Sequence, residues 1–156
     1  MSPEPVTLQR LLVENVATGP TILMNRDLLE KACPIPDNVP YQDWWITLVA
    51  AAFGRVIALP KATVLYRRHS TNLTGEYSEV RGTLRHWAQK VVGAPGRTGE
   101  LRRWLIASAR QAEIFLNRFE DELSQEAQDM LREYSEIPGL GLFKRKLRVL
   151  RLRALP

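Results

Sequence analysis

Up to about Gly75, short apolar runs alternate with breaks rich in proline and glycine; beyond it the apolar positions settle into a helical period. PTILMN (20–25) reads as a short buried strand, and Asn25 is placed to cap the two helical turns of RDLLEKA. Pro34, Pro36 and Pro40 remove backbone donors and fix φ, which makes CPIPDNVP an extended loop. A helix restarts at about Asp43: Trp45, Leu48, Val49 and Ala52 follow the i, i+3, i+4, i+7 spacing of a buried face, and Gly54 can end it. RVIAL and ATVLY are apolar, short and rich in β-branched residues, so both are expected to be strands, parted by Pro60 and Lys61. The fold class expected for residues 1–75 is therefore α/β, with the order β, α, α, β, β in one layer.

From about 82 to 134 a helical period takes over, and residues 76–138 form a helical extension. Leu84, Trp87, Ala88 and Val91 share one face before GAPGRTG breaks the chain. Thr98 can start a long helix carrying Leu101, Trp104, Leu105, Ala112, Phe115, Leu116 and Phe119, and Ser124 a third helix with Ala127, Met130, Leu131 and Tyr134. These helices are expected to bundle and cover the first part. Residues 139–156 follow Pro138 and Gly139 as a basic amphipathic tail, with Phe143, Leu147, Leu150 and Ala154 along one side if helical. That pattern suits an anionic membrane surface, with Lys144, Arg145, Lys146, Arg148 and Arg151 among the headgroups, and it equally suits a solvated or bundle-packed terminal helix.

Composition narrows the setting. At 156 residues, 45% hydrophobic and 25% charged, the chain suits one globular domain. The net charge is +5, and six basic residues with no acid fall between Lys144 and Arg153. Because no recognition motif or interleaved exposed aromatics accompany them, a nucleic-acid partner is not expected. Cys33 is the only cysteine, which excludes an intrachain disulfide and, with no zinc-spaced cluster, favours a reducing, cytoplasmic setting. No secretory signal is expected from MSPEPVTLQR, and the apolar run from Trp44 to Phe53 is well short of the ~20 residues of a membrane span.

One short motif asks for chemistry. Asp43 stands directly against Trp44 and Trp45, and in the run from Trp44 to Phe53 Thr47 is the only polar side chain. The carboxylate either fastens a helix start, favoured by the helix dipole, or is held at the rim of a pocket to handle a proton.

ENVATGPTILMNRDLLEKACPIPDN and QDWWITLVAAAFGRVIALPKATVLYRRHSTN together resemble the acceptor-side half of family 2 glycosyltransferases, of the bacterial rhamnosyltransferase-like branch that builds surface polysaccharides. The likeness runs from about Leu11 to Gly75 and rests on G-x-T-x-x-x-N-R-x-L-L, x-D-W-W and Y-R-x-H-x-x-N. It implies a partial GT-A fold and an inverting transfer of sugar to a glycan or lipid-linked acceptor. In that resemblance Asp43 is the general base for the acceptor hydroxyl, while Trp44, Gly19 and Thr18 line the acceptor site. His69, with Arg67 and Arg68, would face the diphosphate or a metal, His69 being the possible metal contact.

The sequence departs from the family on the donor side. It has no Asp-x-Asp and no glycine-rich phosphate loop; the nearest run, Glu120-Asp121-Glu122, lies in the helical part between Phe119 and Leu123 and reads as a solvated loop. A magnesium or manganese ion and a nucleotide-sugar are therefore expected only with a nucleotide-binding half supplied by a partner, and the chain by itself is not expected to catalyse transfer. A second reading is a non-enzymatic module that binds membrane or a partner through the basic tail.

Overall fold

The computed structural model describes residues 6–65, 67, 98–141 and 148. Five helices order them: α1 (Leu8–Val13), α2 (Arg26–Ala32), α3 (Gln42–Phe53), α4 (Thr98–Phe119) and α5 (Gln125–Ser135). Local chemistry sets their ends. Thr7, Asn25 and Ser124 each accept a hydrogen bond from a first-turn amide, at 3.2, 3.1 and 3.3 Å, and so start α1, α2 and α5. α3 ends at Gly54, as the spacing predicts.

The α/β expectation, and with it the partial GT-A half-domain, is corrected by this architecture: among the described residues there is no strand and no sheet, and the fold is helical. PTILMN does not form a strand because its first residues satisfy themselves locally. Gly19–Thr21 is a 3-10 turn with Pro20 early in it, the Thr21 hydroxyl donates to the Thr18 carbonyl at 2.7 Å, and Leu23 is 97% exposed. Residues 55–65 have no neighbouring strand among the described residues, and a β-run without a partner has no ladder to join. The expected helix over Leu84 to Val91 falls outside the described residues.

α3 is the centre of the molecule. Trp44, Trp45, Thr47, Leu48, Val49 and Ala50 are all buried, so the helix is covered on more than one side, by α1 and α2 on the one hand and by α4 on the other. A helix that is apolar around most of its circumference belongs in an interior. Its polar exception is satisfied within the helix, since the Thr47 hydroxyl donates to the Trp44 carbonyl at 2.9 Å.

Both indoles double as cross-braces. The Trp44 N–H donates to the Leu11 carbonyl in α1, and the Trp45 N–H to the Ala32 carbonyl in α2 at 3.0 Å. Trp44 stacks on Trp104 of α4 at 5.7 Å between centroids, while Trp45 meets Phe115 edge-on at 5.5 Å and Phe119 at 5.8 Å. One apolar cluster thus joins the described parts of residues 1–75 to those of 76–138.

The Lys31 ammonium closes this core at its edge, 4.4 Å from the Phe53 ring centre and ion-paired with Glu122. α4 and α5 pack against each other, pinned by Tyr134, whose buried hydroxyl lies 3.0 Å from the Ser108 hydroxyl. Ser108 also donates to the Leu105 carbonyl at 3.1 Å. Burial pushes the Tyr134 phenol well above its ordinary value of 10.0, and the Ser108 bond pulls it back only in part.

A pH-dependent stability follows from that phenol. The folded chain keeps the proton that the unfolded chain gives up above pH 10, so this contribution is complete below pH ~10 and shrinks as pH rises further. Urea midpoints measured from pH 8 to 11.5 are expected to fall above pH ~10, at up to about 1.4 kcal/mol per pH unit. Tyr134→Phe is expected to lose that slope and about 1 kcal/mol at neutral pH. An unchanged alkaline slope in the phenylalanine variant would assign it to another group.

Candidate functional site

Asp43 sits in the first turn of α3, half-buried, with its backbone placed by the two indoles that follow it. Its side chain reaches back across the chain to the loop after α1. Oδ2 accepts from the Gly19 backbone N–H at 3.2 Å, and Oδ1 accepts from the Asn15 side-chain amide at 3.1 Å and from the Trp44 backbone N–H at 2.7 Å. Asn15 in turn accepts from the Ala17 N–H at 3.2 Å, the two-residue reach of an Asx turn. The loop is thereby tied to the helix start through both Asn15 and Gly19.

A carboxylate has about four acceptor positions. Three are engaged here, which leaves one on Oδ2, beside Gly19. A Cβ built on Gly19 would come 3.8 Å from the Cβ of Asp43, ordinary contact, so the glycine is not forced by a clash.

α4 supports the same end of α3. The buried Gln111 carbonyl accepts the Tyr41 N–H at 3.3 Å, while its amide Nε2 is buried with no partner among the described residues. Tyr41 is the residue before α3 and packs its ring 5.8 Å from Trp44. The carboxylate therefore stands on a helix whose start is fixed both by the α1 loop and by α4.

The residues singled out in the sequence are partly brought together. Gly19 and Asp43 meet although they are 24 positions apart, while Thr18 bonds within its own turn, to Thr21. Trp44 does not present a ring to a cleft: it is 2% exposed, stacked on Trp104, and a sugar platform needs a free aromatic face. Arg67 is exposed, whereas Arg68 and His69 lie outside the described residues, as do Lys144, Arg145, Lys146 and Arg151 of the tail. Arg148 is described, and its guanidinium pairs with Glu136 at 3.2 Å.

Asn15 and Gln111 are the site residues that sequence reasoning missed. Asn15 carried a weak signal as an asparagine just past a helix end, whereas Gln111 looked like any polar position on a long helix. Among the described residues no three His, Cys, Asp or Glu side chains gather closely enough to hold a metal, and no helix is long and apolar enough to cross a membrane. Compared with protein-family models, with curated proteins and with solved structures, the chain matches none.

Proposed function

We propose that this chain is the acceptor-binding portion of an inverting glycosyltransferase, working on a glycan or lipid-linked acceptor at the cytoplasmic face of a membrane, with Asp43 as general base. The observation that carries the proposal is the bond between Asp43 and the Gly19 amide. Two of the motifs behind the family resemblance meet there, at a half-exposed carboxylate with one acceptor position to spare. A base must be within hydrogen-bond reach of the proton it removes and must not swing away from it. The Asn15, Gly19 and Trp44 donors restrict the carboxylate in that way.

Deprotonation of an acceptor hydroxyl by Asp43 would raise its nucleophilicity as it attacks the sugar from the face opposite the leaving diphosphate. Stabilising that diphosphate, with a nucleotide-sugar and a magnesium or manganese ion, is assigned to a partner, the nucleotide-binding half. Turnover is therefore expected from the chain mixed with such a half, nucleotide-sugar and metal, and not from the chain alone. Asp43→Asn in the same mixture tests the base.

Residues 55–65 offer that partner a landing edge. They carry strand-forming side chains, with Ile57, Leu59, Val64 and Leu65 exposed and no backbone hydrogen bond within the described residues. Unpaired N–H and C=O groups flanked by exposed apolar side chains are a template for strand addition. Ile57→Lys with Leu59→Lys is expected to weaken binding of the nucleotide-binding half more than tenfold in a calorimetric titration, since each buried aliphatic side chain contributes about 1.5–3 kcal/mol. An unchanged affinity would move the interface elsewhere.

A further inference from the structure

Among the described residues the basic side chains differ in their partners. Arg10, Arg26, Lys31, Arg132 and Arg148 each pair with a carboxylate, and Arg118 donates to the Cys33 carbonyl. Arg102, Arg103 and Arg110 are exposed on α4 and have no ion pair or hydrogen bond among the described residues. At 100° per residue these three, with Ile106 between them, fall within about 100° of the helix circumference. The buried side carries Ser108, Ala109, Ala112, Phe115 and Leu116 and borders this arc beside Arg102. Glu113 continues the exposed arc and ends its positive stretch, so the charge runs only from Arg102 to Arg110 of α4.

We infer that this face, Arg102, Arg103, Ile106 and Arg110, is a docking surface for the anionic headgroups of a lipid bilayer. Guanidinium groups are weakly hydrated and fork onto phosphate oxygens in pairs, which fits them to headgroup phosphates. Ile106 is 42% exposed among them, a poor arrangement in water and a favourable one where an apolar side chain can enter the acyl boundary. Single-stranded nucleic acid fits less well, because no exposed aromatic lies in this arc to stack on a base: Trp104 is half-buried against Trp44.

The inference is independent of the role of Asp43, and it holds or fails whether or not the chain transfers sugar.

Co-sedimentation of the full chain with phosphatidylglycerol/phosphatidylcholine vesicles at about 0.1 M salt, where the Debye length is ~10 Å, tests it, with pure phosphatidylcholine as the neutral arm. Arg102→Gln, Arg103→Gln and Arg110→Gln together are expected to weaken binding to the anionic vesicles about a hundredfold, at about fivefold for each arginine. A control of equal charge change outside α4, Arg26→Gln with Arg55→Gln and Lys61→Gln, is expected to stay within a few-fold if binding belongs to the α4 face rather than to net charge. The single Arg103→Gln change gives the fivefold step if the triple variant fails to fold. Equal losses in the two triple variants would reduce the effect to net charge and overturn the assignment to this face. Unaltered binding in the α4 variant, or tighter binding to single-stranded RNA or to an acidic peptide than to vesicles, would overturn it as well.

Discussion

Trp45→Ala is expected to destabilise the chain by about 3–5 kcal/mol, the range for removing a large aromatic from a closed core. The side chain is wholly buried between α2 and α4, against Phe115 and Phe119, and its N–H satisfies the Ala32 carbonyl. Truncation would open a cavity in the one cluster that joins both parts of the molecule and would leave a buried carbonyl unpaired. With a slope of about 2 kcal/mol per molar urea, the midpoint is expected to fall by roughly 1.5–2.5 M. Domains are marginally stable, at about 5–15 kcal/mol, so the alanine variant loses a large share of what holds the chain folded. Trp45→Phe keeps most of the apolar volume and orphans only the carbonyl, and is expected to cost about 1–3 kcal/mol. A loss below about 1 kcal/mol for alanine, well under the range for a closed core, would mean that α3 is not its centre.

The contrast between α3 and the expected strands shows which parts of this fold are legible in sequence. α3 announces itself by local means: spacing, a first-turn acid and a terminal glycine. Its burial on several sides was legible too, since a run with one polar residue has no solvent face to offer. Choosing a single buried stripe for Trp45 left Trp44 free for a ligand, and the neighbours that cover it, Leu11 and Trp104, come from distant helices, Leu11 33 positions away. Strands are less legible because their hydrogen bonds belong to a second segment. RVIAL and ATVLY have β-forming composition, and composition cannot report whether a partner strand exists beside them.

For the site, residue types were readable and their joining was not. Asp43 and Gly19 stood out separately, through the tryptophan pair and the resemblance. Nothing in their spacing says that the carboxylate reaches the glycine amide, because the loop between α1 and the turn at Gly19 must first fold back. Asn15 makes that return possible by engaging Ala17 with one side-chain atom and Asp43 with the other. An asparagine serving as such a bridge differs in no local pattern from one that is merely solvated.

Asp43→Asn is expected to lower turnover of the reconstituted enzyme by about 10²–10⁴-fold, the usual contribution of a positioned general base. The change should fall on kcat rather than KM, because the lost proton transfer belongs to the transition state. The same carboxylate also fastens the loop to α3, so a loss of turnover alone does not separate a missing base from a loosened structure. Asparagine keeps one acceptor oxygen but turns a donor toward groups that also donate, and hydrogen bonds to a charged acceptor contribute about 1.5–3 kcal/mol each. Asn15→Ala separates the two roles. It removes one donor to Asp43 and the tie to Ala17, so it should destabilise the chain to a similar degree while leaving the base in place. Turnover in Asn15→Ala is therefore expected to stay within about tenfold of the parent, far above that of Asp43→Asn. Equal turnover in Asp43→Asn and the parent would leave Asp43 a fastener of the helix start and remove the chemical step from this chain. Equal losses in both variants, matched by equal drops in urea midpoint, would also make Asp43 a fastener, since a base is distinguished from a clamp only by a rate that falls further than stability accounts for.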